Sequence, residues 1–247
     1  MGEQVTLTGM ILAASPVKEY DRRVEILTKE RGRISAFAQG ARRQGNPLSA
    51  CTIPFTYGEY TLYAGRNSYN VKEGHIHKFF GDIAEDYDML CYASYFSEMI
   101  QYLTRENIES PYELLLLYVT VCALQSGKIP LRLIRIIFEM RLMYIQGEGI
   151  EVFQCLGCGK EEVFDIYFAK GGLICQECAK KDESLKESVP FTLSYDAKYA
   201  LQYIIASSLE KLYTFQLSDS VLFELEEFRR RYFARYLPHQ FRTEEFL

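Results

Sequence analysis

Residues 23–38, RVEILTKERGRISAFA, decide how the first third of the chain folds. Two short apolar stretches flank the turn Lys29–Gly32, a pattern that predicts a β-hairpin. Similar stretches surround the hairpin, at residues 5–12, 55–63 and 69–77. Five short strands in so short a segment are typical of a small barrel, because closure leaves no exposed strand edge. We therefore predict a five-stranded OB-fold barrel over residues 1–81.

After Gly81 the sequence changes to a helical pattern. Ser110–Pro111 and Gly127 bracket one stretch with the residues that start and stop helices. A helical sequence pattern resumes at Ser194. The stretches that we predict as helices, each apolar at helical spacing, are 83–103, 111–126, 130–146 and 218–236. The fold class is thus α+β, with the barrel followed by an all-α helical domain over residues 82–150 and 191–247.

A four-cysteine motif interrupts the helical part. Cys155 and Cys158 form one CxxC pair, and Cys175 and Cys178 form a second pair 16 residues later. This spacing is typical of a tetrahedral zinc site, in which each tight turn supplies two thiolates. We predict one structural Zn²⁺ per chain, held in an inserted zinc-binding module over residues 151–190. Four ordinary thiols or a redox pair are the alternatives.

Charge is divided unevenly along the chain. Residues 1–81 carry 11 Lys or Arg and 7 Asp or Glu, whereas residues 82–247 carry 17 and 26. A basic barrel can bind nucleic acid by neutralising phosphates. The candidate contacts are Arg22, Arg23, Arg31, Arg33, Arg42 and Arg43. The alternative is an exposed charged surface that binds nothing.

Two further groups are candidates for binding, each with a plainer alternative. Four tyrosines of the barrel could stack on unpaired bases or could pack in the core: Tyr57, Tyr60, Tyr63 and Tyr69. On the predicted helix 130–146, Arg132, Arg135 and Arg141 could edge a groove for an acidic peptide tail. Alternatively, Arg132, Arg135 and Glu139 form an exposed stripe, since their spacing places them on one helix face.

Several classes of protein are disfavoured by what the sequence does not contain. It has no P-loop, no HExxH motif, no GxSxG motif and only three histidines, so we do not expect an enzyme. It has no run of 18 apolar residues and no signal peptide pattern. Hydrophobic residues make up 48%, which excludes a wholly disordered chain. We expect a cytoplasmic protein with no membrane partner.

The order of these features resembles the RecO family of bacterial DNA repair proteins over essentially the whole chain. The local matches are Asp21–Gly32, Gln39–Arg43, Pro54–Phe55 and Leu62–Arg66. Gln39 and Gln44–Asn46 depart from the family's more basic pattern, which predicts a weaker DNA-binding loop. All four zinc cysteines are present.

The resemblance implies a homologous recombination mediator located on the nucleoid. Such proteins bind single- and double-stranded DNA and anneal complementary strands. They contact the C-terminal tail of single-stranded-DNA-binding protein, join RecR and indirectly help load RecA.

Three other functions stay open from the sequence. A zinc-ribbon transcription or RNA-processing factor would bind nucleic acid without annealing it. A metal-dependent enzyme would keep an open position on its zinc ion. A scaffold would have a barrel that binds no DNA.

Overall fold

The structure is a computed structural model that describes residues 3–65 and 68–247; Arg66, part of the Leu62–Arg66 match and of a predicted turn, lies outside them. The chain divides into two compact units. The first contains the residues up to Lys128 together with Phe241–Leu247, and the second is Ile129–Gln240. The domain limits predicted from sequence, at residues 81 and 82, 150 and 151, and 190 and 191, stay predictions.

The first unit contains the predicted five-stranded barrel. Its strands are β1 (Gln4–Val17), β2 (Asp21–Thr28), β3 (Gly32–Ala38), β4 (Thr56–Ala64) and β5 (Tyr69–Phe79). They close in the order β1-β2-β3-β5-β4, and β4 pairs with β1. Only the short β3–β5 pairing is parallel among the described barrel strands. The short helix α1 (Leu48–Cys51) follows β3. This arrangement confirms the predicted OB-fold.

Strand β1 closes the barrel by pairing with β4, and this pairing is here called the seam. Its first half pairs with β4 and its second half with β2, with an irregularity between Ile11 and Ala13. At the crossover Gly9 lies opposite Gly58. On its other side, a Cβ on Gly58 would lie 2.1 Å from the carbonyl oxygen of His75 in β5, so β4 and β5 approach closely here only because this residue is glycine.

The barrel interior is a closed apolar core. Its buried members include Leu7, Ile26, Ile34, Leu62 and Val71. Burial alternates along β3 and β4, as the pleat of a strand predicts. In β1 and β2, by contrast, consecutive residues are buried at 9–12 and 26–28.

Two helices complete the first unit: α2 (Tyr87–Leu103) and α3 (Pro111–Ser126). The β2–β3 turn is fixed to the segment between them, since Asn107 donates its backbone N–H to the Arg31 carbonyl at 2.9 Å. Ser110 occupies the predicted N-cap position of α3. Its hydroxyl, however, donates to the Ile108 carbonyl and makes no capping bond. Gly127 ends α3 in the left-handed conformation, as predicted.

The C-terminal segment of the first unit is held by Glu98 of α2. One carboxylate oxygen accepts the backbone N–H of Arg242 at 3.1 Å, and the other accepts that of Thr243 at 2.9 Å. Burial acts to raise the pKa of Glu98, but the hydrogen bonds from Thr243 and Arg242 outweigh it and leave the pKa below its usual range.

The second unit contains three larger helices and a small sheet. Helix α4 (Leu131–Ile145) packs against both α6 (Tyr195–Ala206) and α7 (Asp219–Tyr236). The sheet has the order β7-β6-β8, with β6 at Asp165–Tyr167, β7 at Gly172–Leu173 and β8 at Phe191–Thr192. A short helix α5 (Gln176–Lys181) carries the last cysteine of the motif. No helix among residues 3–65 and 68–247 is both long and apolar enough to cross a membrane.

Substitution of Gly58 with alanine tests the close approach of β4 to β5. We expect Gly58→Ala to lower the free energy of unfolding by about 1–3 kcal/mol, because the new methyl group must displace a strand. Chemical denaturation of the whole chain measures this change. Glu59→Ala, next to it on the exposed surface, is the control and should change stability by less than about 0.5 kcal/mol. Equal effects of the two substitutions would contradict the close-approach argument.

Candidate nucleic-acid interface and metal cluster

The residues 39–47, here called the arginine loop, are fastened to the hairpin turn Lys18–Tyr20. The backbone N–H of Arg42 donates to the Tyr20 carbonyl at 2.9 Å. The backbone N–H of Gly40 donates to the Asp21 carboxylate at 2.8 Å. Gly40 has a φ of +66°, a conformation that favours glycine. The arginine loop is therefore an ordered structure and not the flexible loop that its glycines and proline indicate in the sequence.

Arg42 and Arg43 are exposed at the tip of this ordered loop. The Arg42 guanidinium donates to the Glu19 carbonyl at 3.2 Å, and the Arg43 guanidinium lies 4.8 Å from the centre of the Tyr20 ring. Lys18, in the same hairpin turn, is also exposed. Both guanidinium groups keep most of their donors for an external anion, because each uses at most one here.

Arg22 and Arg23 are neighbours on β2 but have different surroundings. Arg22 is half-buried and donates to the Ser49 carbonyl at 2.8 Å and to the Thr52 hydroxyl at 3.0 Å. Arg23 is half exposed and donates to the Ser35 hydroxyl at 2.9 Å. Arg22 therefore fixes α1 to the barrel, whereas Arg23 presents its charge to solvent.

Arg31 and Arg33 are engaged by their own chain. Arg31 donates to the Tyr69 hydroxyl at 3.0 Å, and this hydrogen bond is the main reason why the pKa of Arg31 is raised. Arg33 forms an ion pair with Glu25 at 3.1 Å. Of the six predicted DNA contacts, Arg23, Arg42 and Arg43 are thus the exposed ones, although Arg23 also lies 3.9 Å from the Glu25 carboxylate. All six stay predictions as DNA ligands.

The four tyrosines predicted as stacking candidates are mostly occupied in packing. Tyr60 and Tyr69 are buried in the barrel, and Tyr57 lies against Tyr118 with ring centres 4.9 Å apart. Tyr63 alone of the four is exposed. Sequence reasoning missed Tyr20, which is equally exposed. The sequence feature that could have identified Tyr20 is its position between basic residues, Lys18 on one side and Arg22 and Arg23 on the other.

The four cysteines of the predicted zinc motif converge. Their sulfur atoms all lie within 4.8 Å of one another, and the sulfur atoms of Cys158 and Cys175 are 3.7 Å apart. Sulfur atoms about 2.3 Å from a tetrahedral Zn²⁺ are about 3.8 Å apart, whereas a disulfide bond is about 2.05 Å long. The cluster could therefore hold one metal ion.

Local backbone structure explains why these sulfur atoms meet. A Cβ on Gly157 would lie 2.8 Å from the Cys178 sulfur, so the first CxxC turn can pack against the second only with glycine there. Gly171, with a φ of +78°, lies in the turn between β6 and β7. These glycines fold the two CxxC pairs onto each other.

The surroundings of the cluster favour at least one thiolate. Burial acts to raise the pKa of the Cys155 thiol. Backbone N–H groups, above all those of Cys175 and Gly157, donate to its sulfur and bring the pKa down to about 6. Thiolates are the form of cysteine that binds metal ions.

The three arginines of α4 are tied to residues of the second unit. Arg132 forms a two-pronged ion pair with Glu226. Arg135 contacts the fully buried Glu139 at 2.8 Å, and Arg141 donates to the carbonyl of Ile205. Because Glu139 has no exposed surface, the predicted exposed stripe is wrong. The tail-binding role of the three arginines stays a prediction.

Comparison with known proteins matches both parts of this chain to the same protein family. The family described as "Recombination protein O N terminal" matches residues 1–80, and "Recombination protein O C terminal" matches residues 84–245. A "DNA repair protein RecO" of Acetivibrio thermocellus is 31% identical over 97% of this chain and 94% of its own length. One from Alkaliphilus metalliredigens is 29% identical over 93% and 92%, respectively.

Removal of the Arg22 side chain tests its structural assignment. We expect Arg22→Ala to lower the free energy of unfolding by about 1–3 kcal/mol, because two partly buried acceptors lose a charged donor. Arg23→Ala is the matched control, because it removes the same charge from an exposed neighbour. It should change stability by less than about 0.5 kcal/mol. Thermal or urea denaturation of both variants measures the free energy of unfolding. A larger loss of stability in Arg23→Ala than in Arg22→Ala would overturn the structural assignment of Arg22.

Proposed function

Since the chain belongs to the recombination protein O family, we propose that it is a mediator of DNA repair and homologous recombination that binds single- and double-stranded DNA and anneals complementary strands. In this proposal it is a binding protein and not an enzyme. It acts in the cytoplasm, on the nucleoid.

The observation that carries the proposal is the exposed pair Arg42 and Arg43 on an ordered loop. Guanidinium groups bind phosphate through two parallel hydrogen bonds. Since the hairpin turn already fixes the loop, DNA binding need not pay for ordering it. Neutralised phosphates repel each other less, so two strands held at this surface can approach and pair.

We assign DNA contact first to Arg23, Arg42 and Arg43, and with smaller effect to the more engaged Arg22, Arg31 and Arg33. Each of the latter three is only partly exposed and already donates hydrogen bonds within the chain. DNA must compete for those donors. We therefore expect them to contribute through the overall positive field more than through direct contacts.

Protein partners are assigned to the helical part of the chain. In this proposal it joins RecR, receives the tail of single-stranded-DNA-binding protein and helps load RecA. The net charge of −9 over residues 82–247 supports this division, because it disfavours a continuous DNA surface there. For the acidic tail we propose Arg132, Arg135 and Arg141. The side chain of Arg132 is more exposed than that of Arg135, at 57% against 13%.

We further propose that Cys155, Cys158, Cys175 and Cys178 hold one structural Zn²⁺. The spacing of their sulfur atoms fits a tetrahedral site, and their donor set favours a thiophilic metal. The metal ion would cross-link the two CxxC turns and so stabilise the fold of residues 151–190.

Strand annealing tests the DNA proposal. Wild-type protein should accelerate annealing of complementary oligonucleotides coated with the cognate single-stranded-DNA-binding protein, and Arg42→Glu/Arg43→Glu should abolish most of that acceleration. Arg230→Glu/Arg231→Glu is the matched control, because it reverses two adjacent exposed charges in the second unit. It should anneal as wild type does.

The salt dependence of binding supplies an independent measure. Each lost phosphate contact lowers the slope of log K against log salt by about 0.7 for a single strand, so the double reversal should lower it by about 1.4. Wild-type binding without any annealing would contradict the mediator proposal and favour a zinc-ribbon factor. Annealing that survives the double reversal would move the DNA site elsewhere.

Metal analysis tests the zinc proposal. Protein purified without chelator should contain about one zinc ion per chain. Cys175→Ser should lose it and unfold at a lower temperature, because the metal ion stabilises only the folded cluster. Cys122→Ser, outside the cluster, should retain both metal and melting temperature. Full metal content in Cys175→Ser would refute the assignment.

A further inference from the structure

We infer that Tyr20 is a stacking site for one unpaired DNA base, with Arg43 covering the opposite face of its ring. This inference rests on the proposed DNA-binding function and specifies which part of the nucleic acid the same surface recognises. The ligand class is an unstacked nucleobase in a single strand.

The Tyr20 ring is partly exposed beside the arginine loop. Its exposed fraction is 41%, and the Arg43 guanidinium lies 4.8 Å from the ring centre. Because the guanidinium covers one face, the base must take the opposite face. A base can stack there, and every base has a π-face that suits this contact.

The backbone under Tyr20 is fixed on both sides. The Tyr20 carbonyl accepts the Arg42 N–H at 2.9 Å, and the adjacent Asp21 carboxylate accepts the Gly40 N–H at 2.8 Å. Lys18, two residues earlier, has a φ of +51°, a conformation that persists only where its surroundings enforce it. The backbone that carries the ring is thus held in place before any ligand arrives, which reduces the entropy lost on binding.

Basic residues outnumber acidic residues in the two segments that are joined at Tyr20. Residues 18–23 and 39–47 contain five cations, Lys18, Arg22, Arg23, Arg42 and Arg43, and two acids, Glu19 and Asp21. The Asp21 carboxylate is already a hydrogen-bond acceptor for the arginine loop. A base on Tyr20 would therefore place its flanking phosphates in a field that is positive on balance.

Stacking on Tyr20 makes the surface selective for unpaired strands. Bases in a duplex are stacked on each other and cannot cover the ring, whereas phosphates are present in both forms. Once two strands pair, the base must leave the ring. The site therefore binds the substrate of annealing more tightly than its product.

Another exposed tyrosine provides a matched control. Tyr63 is 39% exposed and has Lys72 above its ring at 5.7 Å, so it also combines an open aromatic face with a cation. It pairs with Gln4 at the start of β1, whereas Tyr20 follows the end of that strand. The two tyrosines thus differ mainly in position: Tyr20 adjoins the arginine loop, whereas Tyr63 lies at the opposite end of β1.

The test compares binding of the full chain to oligo(dT) and to an abasic oligomer of the same length, which has the phosphates without the bases. Tyr20→Ala should weaken oligo(dT) binding about 5- to 100-fold and leave abasic binding within about 2-fold of wild type. Tyr20→Phe and Tyr63→Ala should bind both probes nearly as wild type does. The salt slope of Tyr20→Ala should be unchanged, because no phosphate contact is lost.

Three results would overturn the inference. Equal losses for both probes in Tyr20→Ala would show that the ring only positions Arg43. A larger loss of oligo(dT) binding in Tyr63→Ala would move the stacking site to that tyrosine. Unchanged oligo(dT) binding in Tyr20→Ala would exclude stacking there. Failure of wild-type protein to bind either probe at low salt would instead refute the proposed DNA-binding function itself.

Discussion

The hydrogen bond from the Arg42 backbone to the Tyr20 carbonyl is the constraint on which the proposed nucleic-acid surface depends. It joins two segments that are distant in sequence, the β1–β2 turn and the arginine loop after β3. With the bond from Gly40 to Asp21 it places Arg42, Arg43 and Tyr20 on one ordered surface. The pairing of β2 with both β1 and β3 makes this possible, because it brings the end of β1 and the end of β3 together.

The arginines of the barrel divide into two groups with different physical roles. Three of them bind within the first unit: Arg22 donates to Ser49, Arg31 donates to Tyr69 and Arg33 pairs with Glu25. These contacts help to hold the first unit together. The exposed Arg42 and Arg43 retain most of their donors. A guanidinium with five donors can serve either role, so a count of basic residues overstates the number available for phosphate. The second unit repeats this lesson, because Arg135 and Arg229 both contact the buried Glu139.

The sequence predicted the elements of the fold well, because hydrophobic period and glycine position are local properties. The strands and helices, the Gly127 stop and the CxxC convergence all follow from short-range patterns. The partners of individual side chains, by contrast, do not follow from short-range patterns. Tyr60 and Tyr69 face the core, Glu139 is buried and the Ser110 hydroxyl turns to Ile108, and each outcome depends on contacts that no local pattern encodes. Tyr20 was missed for the same reason, since its importance arises from Arg43, 23 positions away.

Amide hydrogen exchange along the arginine loop tests most directly whether this surface is ordered before DNA arrives. In the free protein, the account predicts that the amides of Gly40 and Arg42 exchange far more slowly than in an unstructured peptide, because both are hydrogen-bonded to the hairpin. Their protection should change little when oligo(dT) is added. Unprotected exchange in the free protein, with protection appearing only on DNA binding, would show that DNA orders the loop and would contradict the account.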